Sequence, residues 1–358
     1  MRTPVVLLTG VDTPTLETAM VGMLFDLPRA VAVRHRIDVA ARVLHRTVSD
    51  LSGVLEREEI ELEHACVSCA LREDIVPTLE RVARDGRWGT VLAALPVGAE
   101  ASQICSVLSW DTRLSRHLSV ASVVTALDGQ DLVEGLVGDA LLVERGQHTS
   151  PEDRRGVGEV AAAMVEYADV VVVGAEADDA GLDLVRVLAR PGALVLRGVE
   201  EVDGTSLCAD LHRHDETLAW SSPVRRDAAP TVDAGRAWAQ SLASRSPFHP
   251  GRLLHRLEEL GGGRHRSRGC FWLPTRPGRV LVWDGAGGQL SIGHGEPWGR
   301  RTPHTRIDLA GVGVAPGHLQ RSFDQLLLAP ADAPLGSAAW DVTEDGFEPW
   351  LGPIRVVA

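Results

Sequence analysis

The richest chemistry in the sequence lies in His64-Ala65-Cys66-Val67-Ser68-Cys69-Ala70-Leu71-Arg72-Glu73-Asp74-Ile75. A C-x-x-C spacing lets two thiolates from one turn reach a single ion at about 2.3 Å, which suits zinc. His64 is a third donor close by, and Cys105 or Glu63 would extend the set. Two other readings fit the same residues: a dithiol redox switch, and two packed cysteines with no ligand. The pair stands just before a helix that Arg72, Asp74 and Ile75 open, and the positive end of that helix is expected to lower the thiol pKa. A second group, Cys208-Ala209-Asp210-Leu211-His212-Arg213-His214-Asp215, holds metal-compatible residue types but reads as a solvated polar loop. His35, His45 and His117 stand alone in apolar-periodic segments and read as helix-face residues.

A phosphate site is the other chemistry to look for. Residues 4–8 read as a buried strand, and Gly10-Val11-Asp12-Thr13-Pro14-Thr15-Leu16-Glu17-Thr18 leads into a helix carrying Met20, Met23 and Leu24. Such a strand–loop–helix turn points backbone N–H groups at phosphate oxygens. Against G-x-x-x-x-G-K-[ST] counted from Gly10, however, the second glycine is Thr15, the lysine is Leu16 and the magnesium-binding hydroxyl is Glu17. Thr18 still offers a hydroxyl. Losing the lysine removes a charge-assisted bond of roughly 1.5–3 kcal/mol, and Glu17 adds repulsion. A weakened nucleotide site and a plain βα turn both fit. No Ser/His/Asp triad, acid/base carboxylate pair or dinucleotide fingerprint stands out, so no catalytic residue is assigned.

These residues need a frame. Apolar runs at Ala30–Val33, Val91–Leu95, Ala121–Leu127, Val170–Val173 and Ala193–Leu196 alternate with helix-length segments, among them a helical pattern from Val39 to Leu55. The alternation implies an α/β unit: a doubly wound parallel sheet covered on both faces. A chain of 358 residues exceeds one typical core, since domains usually hold about 100–200. Residues 1–200 are expected to form the first domain. Residues 201–235, with Ser221-Ser222-Pro223 and Ala228-Ala229-Pro230, read as a linker, and 236–358 as a second, α+β domain. There Ala237–Leu242 and Leu253–Leu260 read as helices, Gly269–Leu273 and Val280–Trp283 as strands ending at Gly285-Ala286-Gly287-Gly288, and His318–Leu327 as a later helix.

Composition narrows the class. A net charge of −13 works against autonomous binding to nucleic-acid phosphates. The short basic run Arg264-His265-Arg266-Ser267-Arg268 reads as a solvated loop. Five cysteines are odd in number and sparse, which argues for reduced thiols or a metal site. The apolar run Val5–Leu8 is too short for a secretory or membrane segment, so a cytoplasmic protein is expected.

The Cys66–Ile75 segment resembles the signature of the CobW-type metallochaperone GTPases, in which Cys-x-Cys-Cys leads into an Arg-x-Asp-Leu helix. Cys66, Ser68 and Cys69 match the three cysteine positions, with Arg72 and Asp74 in the helix. Val123–Asp128 is similar to the family strand ending in Val-Asp-Ala. Tyr167–Val173 is similar to the strand before the guanine-reading Asn-Lys-x-Asp, which here reads Ala175-Glu176-Ala177-Asp178. The family Glu-x-x-Gly reads Leu95-Pro96-Val97-Gly98. Ser246-Pro247-Phe248-His249-Pro250, Gly269–Leu273, Trp283 and Gly287–Leu290 resemble the CobW C-terminal domain of actinobacterial members.

The resemblance implies a P-loop NTPase-like first domain and a smaller α+β C-terminal one. It implies metal ligands at Cys66, Cys69 and His64, and nucleotide-contacting positions at Gly10, Thr18, Gly98 and Asp178. Zinc is the implied metal and GTP with magnesium the family cofactor, here with weak or no hydrolysis. The eroded nucleotide motifs are most similar to the mycobacterial-type branch that recruits a ribosome hibernation factor to the small ribosomal subunit under zinc starvation. The alternative implied role is a GTP-dependent zinc metallochaperone serving a metalloprotein client.

Overall fold

Runs of Val, Leu and Ala without polar alternation suit strands buried on both faces, and the middle of the first sheet is built from them. The computed structural model describes residues 2–27, 29–209, 211–224, 232–329, 332 and 340–354. The chain opens with β1 (Thr3–Thr9), α1 (Thr13–Asp26) and β2 (Ala30–Asp38), then a hairpin of β3 (Val43–Asp50) and β4 (Gly53–Glu61). A helix in three pieces follows: α2 (Val67–Ala70), a π-helical turn (Leu71–Ile75) and α3 (Val76–Asp85). Next come β5 (Thr90–Ala94), α4 (Ala101–Trp110), β6 (Leu118–Leu127), α5 (Leu132–Val137), α6 (Val157–Tyr167), β7 (Val170–Val173), α7 (Asp179–Leu188) and β8 (Leu194–Arg197).

These strands form one sheet in the order β4-β3-β2-β5-β1-β6-β7-β8. All neighbours from β2 to β8 are parallel, the doubly wound arrangement the alternation implies. Side chains along β1 alternate between two cores: Val5 and Leu7 pack beneath α3 and α4, whereas Val6 and Leu8 pack beneath α1. Every residue of β5 is buried.

The helix expected over Val39–Leu55 is corrected: the segment forms β3 and part of β4, paired antiparallel at the sheet edge. Its apolar residues fall at helical spacing, but Leu44 and Val48 are the positions buried, and the chain reverses between Asp50 and Gly53. There the Asp50 carboxylate accepts from the Ser52 N–H at 2.8 Å, and Gly53 has φ +130°. Turn chemistry therefore overrides the apparent period. His35 and His45 accordingly lie on β2 and β3, and His117 on the approach to β6, rather than on helix faces.

Within residues 201–235, α8 (Gly204–Leu207) and α9 (His214–Ser221) are helical. Leu207 is buried in the core beneath α1, and α9 lies against α4 and α6. Ala228-Ala229-Pro230 lie outside the described residues. Beyond them, β9 (Val232–Ala234), β10 (Ala237–Ser244), α10 (Pro250–Arg256), α11 (Glu258–Gly261), β11 (His265–Phe271), β12 (Arg279–Ala286), β13 (Gln289–Pro297), β14 (Thr305–Val312), α12 (Leu319–Leu326) and α13 (Glu348–Leu351) make a second unit. Its sheet is antiparallel, in the order β13-β12-β11-β14-β10-β9, over a core containing Phe248, Phe271, Trp283, Phe323 and Phe347.

The helix expected over Ala237–Leu242 is corrected too. It is β10, paired with β14 over eight residues. Trp238 and Leu242 enter the aromatic core, while Ala237 and Ala239 turn to the other face and join the core of α5 and α7. Small residues on that face let the two units close-pack. The basic run is corrected from a solvated loop to β11 at residues 265–268, Arg264 alone staying exposed: Glu166 of α6 accepts from Arg266 Nε at 3.0 Å and also pairs with Arg268. Among the described residues no helix is long and apolar enough to cross a membrane.

Candidate metal centre

Cys66 is the N-cap of α2, with extended backbone at φ −147°, ψ 152°, and its Sγ accepts from the Cys69 N–H at 3.1 Å. The two sulfurs lie 2.7 Å apart. Ala65 and Val67 are buried on either side and hold the turn, while both cysteines stay partly exposed. Tetrahedral zinc spaces two thiolates at about 3.8 Å, so the pair must open by roughly 1 Å to take an ion. The neighbouring sulfur, then burial, pushes the Cys69 thiol up. This corrects the expectation of a lowered pKa at that residue, because a four-residue helix end is outweighed by a sulfur in direct contact. His64 is exposed, and among the described residues it does not join the two thiols in a three-donor cluster.

The helix behind the pair is anchored by a buried polar group. Asp74 accepts from Thr78 and pairs with His35 Nε2 at 2.8 Å and with Arg46. Burial alone would raise the Asp74 carboxyl, but the hydrogen bond and charge of His35 and the charge of Arg46 hold it below its ordinary range. The edge hairpin thus fixes the helix that carries the thiols. Val76 N–H bonds back to the Leu71 carbonyl, a π-type step just before Pro77, which has no N–H of its own to donate. A cavity of about 560 Å³ opens beside Ser68, walled by Leu71, Val76, Val107 and Leu114.

At the first βα turn, the residues implied for nucleotide contact hold the fold. The Asp12 carboxylate caps α1, accepting from Thr15 N–H at 2.8 Å, so negative charge sits where a phosphate would dock. Leu16 is buried in the core, and Glu17 pairs with Arg34. A Cβ at Gly10 would lie 2.8 Å from the Ala126 carbonyl, and Gly98, at φ +74°, donates its N–H to the Gly10 carbonyl at 3.1 Å. Asp178 caps α7, accepting from Gly181 N–H at 2.7 Å. Thr18 lines a cavity of about 480 Å³ together with Asp12, Asp128, Glu176 and Glu200, and among the described residues no Lys or Arg lines it. A polyphosphate would meet repulsion there without compensation.

A second constellation does form. One donor atom each from Cys105 on α4, His212 in the α8–α9 connection and His214 opening α9 lie within 4.8 Å of one another. Burial pushes the Cys105 thiol up to about 12, which makes it inert as a free nucleophile. Burial also lowers His214, keeping it neutral. The solvated-loop reading of Cys208–Asp215 is therefore corrected at His212, whose side chain is buried. Cys208 turns away, 3.4 Å from Thr90 Oγ1, and Asp210 lies outside the described residues. The signal in the sequence was the His-x-His spacing; what it lacked was Cys105, more than a hundred residues upstream.

Two family models match successive parts of the chain: the CobW/HypB/UreG nucleotide-binding domain over residues 37–183, and the cobalamin synthesis protein cobW C-terminal domain over residues 238–327. The chain is similar to the zinc chaperone Rv0106 of Mycobacterium tuberculosis, 28% identical over 312 residues that cover 83% of this chain and 74% of that one. It is similar to the zinc-regulated GTPase metalloprotein activator 1 of Dictyostelium discoideum, 20% identical over 344 residues covering 83% and 70%. Among solved structures, the Zn(II)-bound YjiA GTPase from E. coli matches at 15% identity and TM-score 0.36, over 92% of this chain and all of that one. With both characteristic domains present in order on one polypeptide, the chain belongs to the CobW-type family.

Proposed function

We propose that this chain is a zinc metallochaperone that passes the ion to a metalloprotein client and does so with little or no GTP hydrolysis. The observation that carries the reading is the Cys66–Cys69 pair on a part-exposed turn backed by the anchored helix, with a cavity that Ser68, between the two cysteines, lines. Zinc is the cargo. Binding it takes one proton from each thiol, and two protein ligands leave the remaining positions to water or to a client side chain, so the ion is held in an exchangeable state. The similarity to proteins named as a zinc chaperone and a metalloprotein activator supports this reading. The acidic, lysine-free pocket at Thr18 supports the loss of hydrolysis, which needs positioned phosphates, magnesium and positive charge together.

That same pocket favours a second reading, recruitment of a ribosome hibernation factor to the small ribosomal subunit under zinc limitation, because recruitment requires no hydrolysis. Affinity purification of the tagged chain from zinc-depleted cells tests both. A metalloenzyme that is lost from the eluate when Cys66 and Cys69 are changed to serine supports the metallochaperone. Ribosomal proteins recovered regardless of those cysteines would overturn it in favour of recruitment.

A further inference from the structure

We propose that Cys105, His212 and His214 form a second site for a zinc-class divalent ion, separate from the thiol turn, which ties α4 and α9 to the end of the first sheet. The three residues come from two stretches more than a hundred positions apart, yet one donor atom from each falls within 4.8 Å of the others. Tetrahedral zinc with one sulfur and two nitrogen ligands spaces its donors at about 3.3–3.6 Å, so closing on an ion takes side-chain shifts of an ångström or so. One thiol and two imidazoles select zinc, cobalt or copper over magnesium or calcium, which prefer oxygen.

Independent support comes from how His212 is held. Its side chain is 3% exposed, and its Nδ1 bonds the Asp169 Oδ2 at 3.1 Å. Facing a carboxylate oxygen, the imidazole donates from Nδ1, which leaves the lone pair on Nε2. That Nε2 is buried and, among the described residues, has no hydrogen-bond partner. A buried imidazole nitrogen left unpaired costs stability, but it is what a metal ligand looks like when a carboxylate orients the opposite nitrogen. Asp169 is itself immobilised: it accepts from Val123 N–H at 2.7 Å and pairs with Arg190. The His212 backbone is fixed as well, its N–H donating to the Ala121 carbonyl at 2.9 Å. His214 is steered by the Tyr167 hydroxyl, 3.1 Å from its Nδ1. Each imidazole thus has an outer partner, and the carboxylate–histidine arrangement is in place around His212.

The site goes beyond the cargo reading and fails or stands independently of it. The test is cobalt(II) titration of the metal-free full chain in the Cys66→Ser/Cys69→Ser background, read by the sulfur-to-cobalt charge-transfer band and the tetrahedral d–d bands. We expect one equivalent to bind there with the signature of a single thiolate. Adding Cys105→Ser should abolish the charge-transfer band, and adding His214→Gln should weaken cobalt binding by at least tenfold, each with the far-ultraviolet circular dichroism unchanged. His214→Gln replaces a half-exposed side chain, so it keeps the test valid if Cys105→Ser perturbs the core. No cobalt uptake in the Cys66/Cys69 background would overturn the proposal. So would a charge-transfer band that survives Cys105→Ser together with an affinity that His214→Gln leaves unchanged. Retention of all cobalt in the Cys66/Cys69 variant, with loss on His214→Gln, would instead uphold this site and refute the thiol turn as the cargo position.

Discussion

Replacing Glu166 by Ala tests whether the two units are locked together as the buried charges suggest. The side chains of Glu166, Arg266 and Arg268 are 3, 2 and 10% exposed, and both guanidiniums converge on the one carboxylate. Asp284 pairs with Arg266 from the far side, but at 29% exposed it offsets only part of the loss. Removing the carboxylate leaves like charges facing each other out of water, and breaking such a buried pair costs about 3–5 kcal/mol. At roughly 2–4 °C per kcal/mol for folding units of this size, the midpoint should fall by about 6–20 °C. The assay is thermal unfolding by circular dichroism at pH 7. Glu166→Gln, which keeps an acceptor oxygen, should lose less. The combined Glu166→Leu/Arg266→Met variant should cost less than the sum of its parts, since the Glu166–Arg266 pair is then lost only once, although Arg268 still loses its carboxylate partner. A Glu166→Ala midpoint within about 2 °C of wild type would refute the interface.

Three further outcomes are expected. Titration with GTP and magnesium should show no saturation below about 1 mM, a binding free energy weaker than about −4 kcal/mol; micromolar affinity would contradict the structural tasks assigned to Asp12, Leu16 and Asp178. Asp345, which burial alone would raise, is held low by Arg276, Thr275 and the Phe347 N–H, as Asp74 is by His35 and Arg46. Carboxylates depressed on folding contribute stability that is complete above their unfolded pKa and is lost as pH falls through the folded value. Urea midpoints should therefore hold from pH 7 to about 5 as far as these groups are concerned and drop below about 4, with Asp345→Asn showing a shallower drop and a lower starting point. Gly269→Ala should abolish soluble expression or lower the midpoint steeply, because its Cβ would lie 1.8 Å from the Arg306 carbonyl on the neighbouring strand; normal stability would show that β11 and β14 are not paired there.

The parallel core of the first sheet is legible because Val5–Leu8, Val91–Ala94 and Val170–Val173 have no polar alternation and cannot face water on either side. The β3–β4 hairpin is not, because Val43, Leu44, Val48 and Leu51 mimic a helical period and the Asp50–Gly53 turn must be weighed against it. β10 misleads for a different reason: alanine favours helices, yet Ala237 and Ala239 are small to allow one unit to approach the other. Arg266 and Arg268 look like solvent-facing charge because their partner, Glu166, is a hundred positions upstream. At the site, the C-x-x-C turn announces itself by spacing alone, and the departure from the phosphate-binding motif is visible in Leu16 and Glu17. The Cys105, His212 and His214 cluster depends on the crossing of α4 with the α8–α9 connection, a tertiary fact that spacing does not carry.

Zinc stoichiometry of the Cys66→Ser/Cys69→Ser variant tests the central claim most directly. Metal-free wild type and variant are titrated with zinc against a chromophoric chelator at pH 7.4, with circular dichroism confirming that both are folded. The account predicts that the variant binds one equivalent fewer than wild type and that its unfolding midpoint without zinc is unchanged, because the two thiols face the turn rather than the core. Equal stoichiometry and equal affinity in the two proteins would contradict it, and zinc handling by this chain would then have to reside elsewhere.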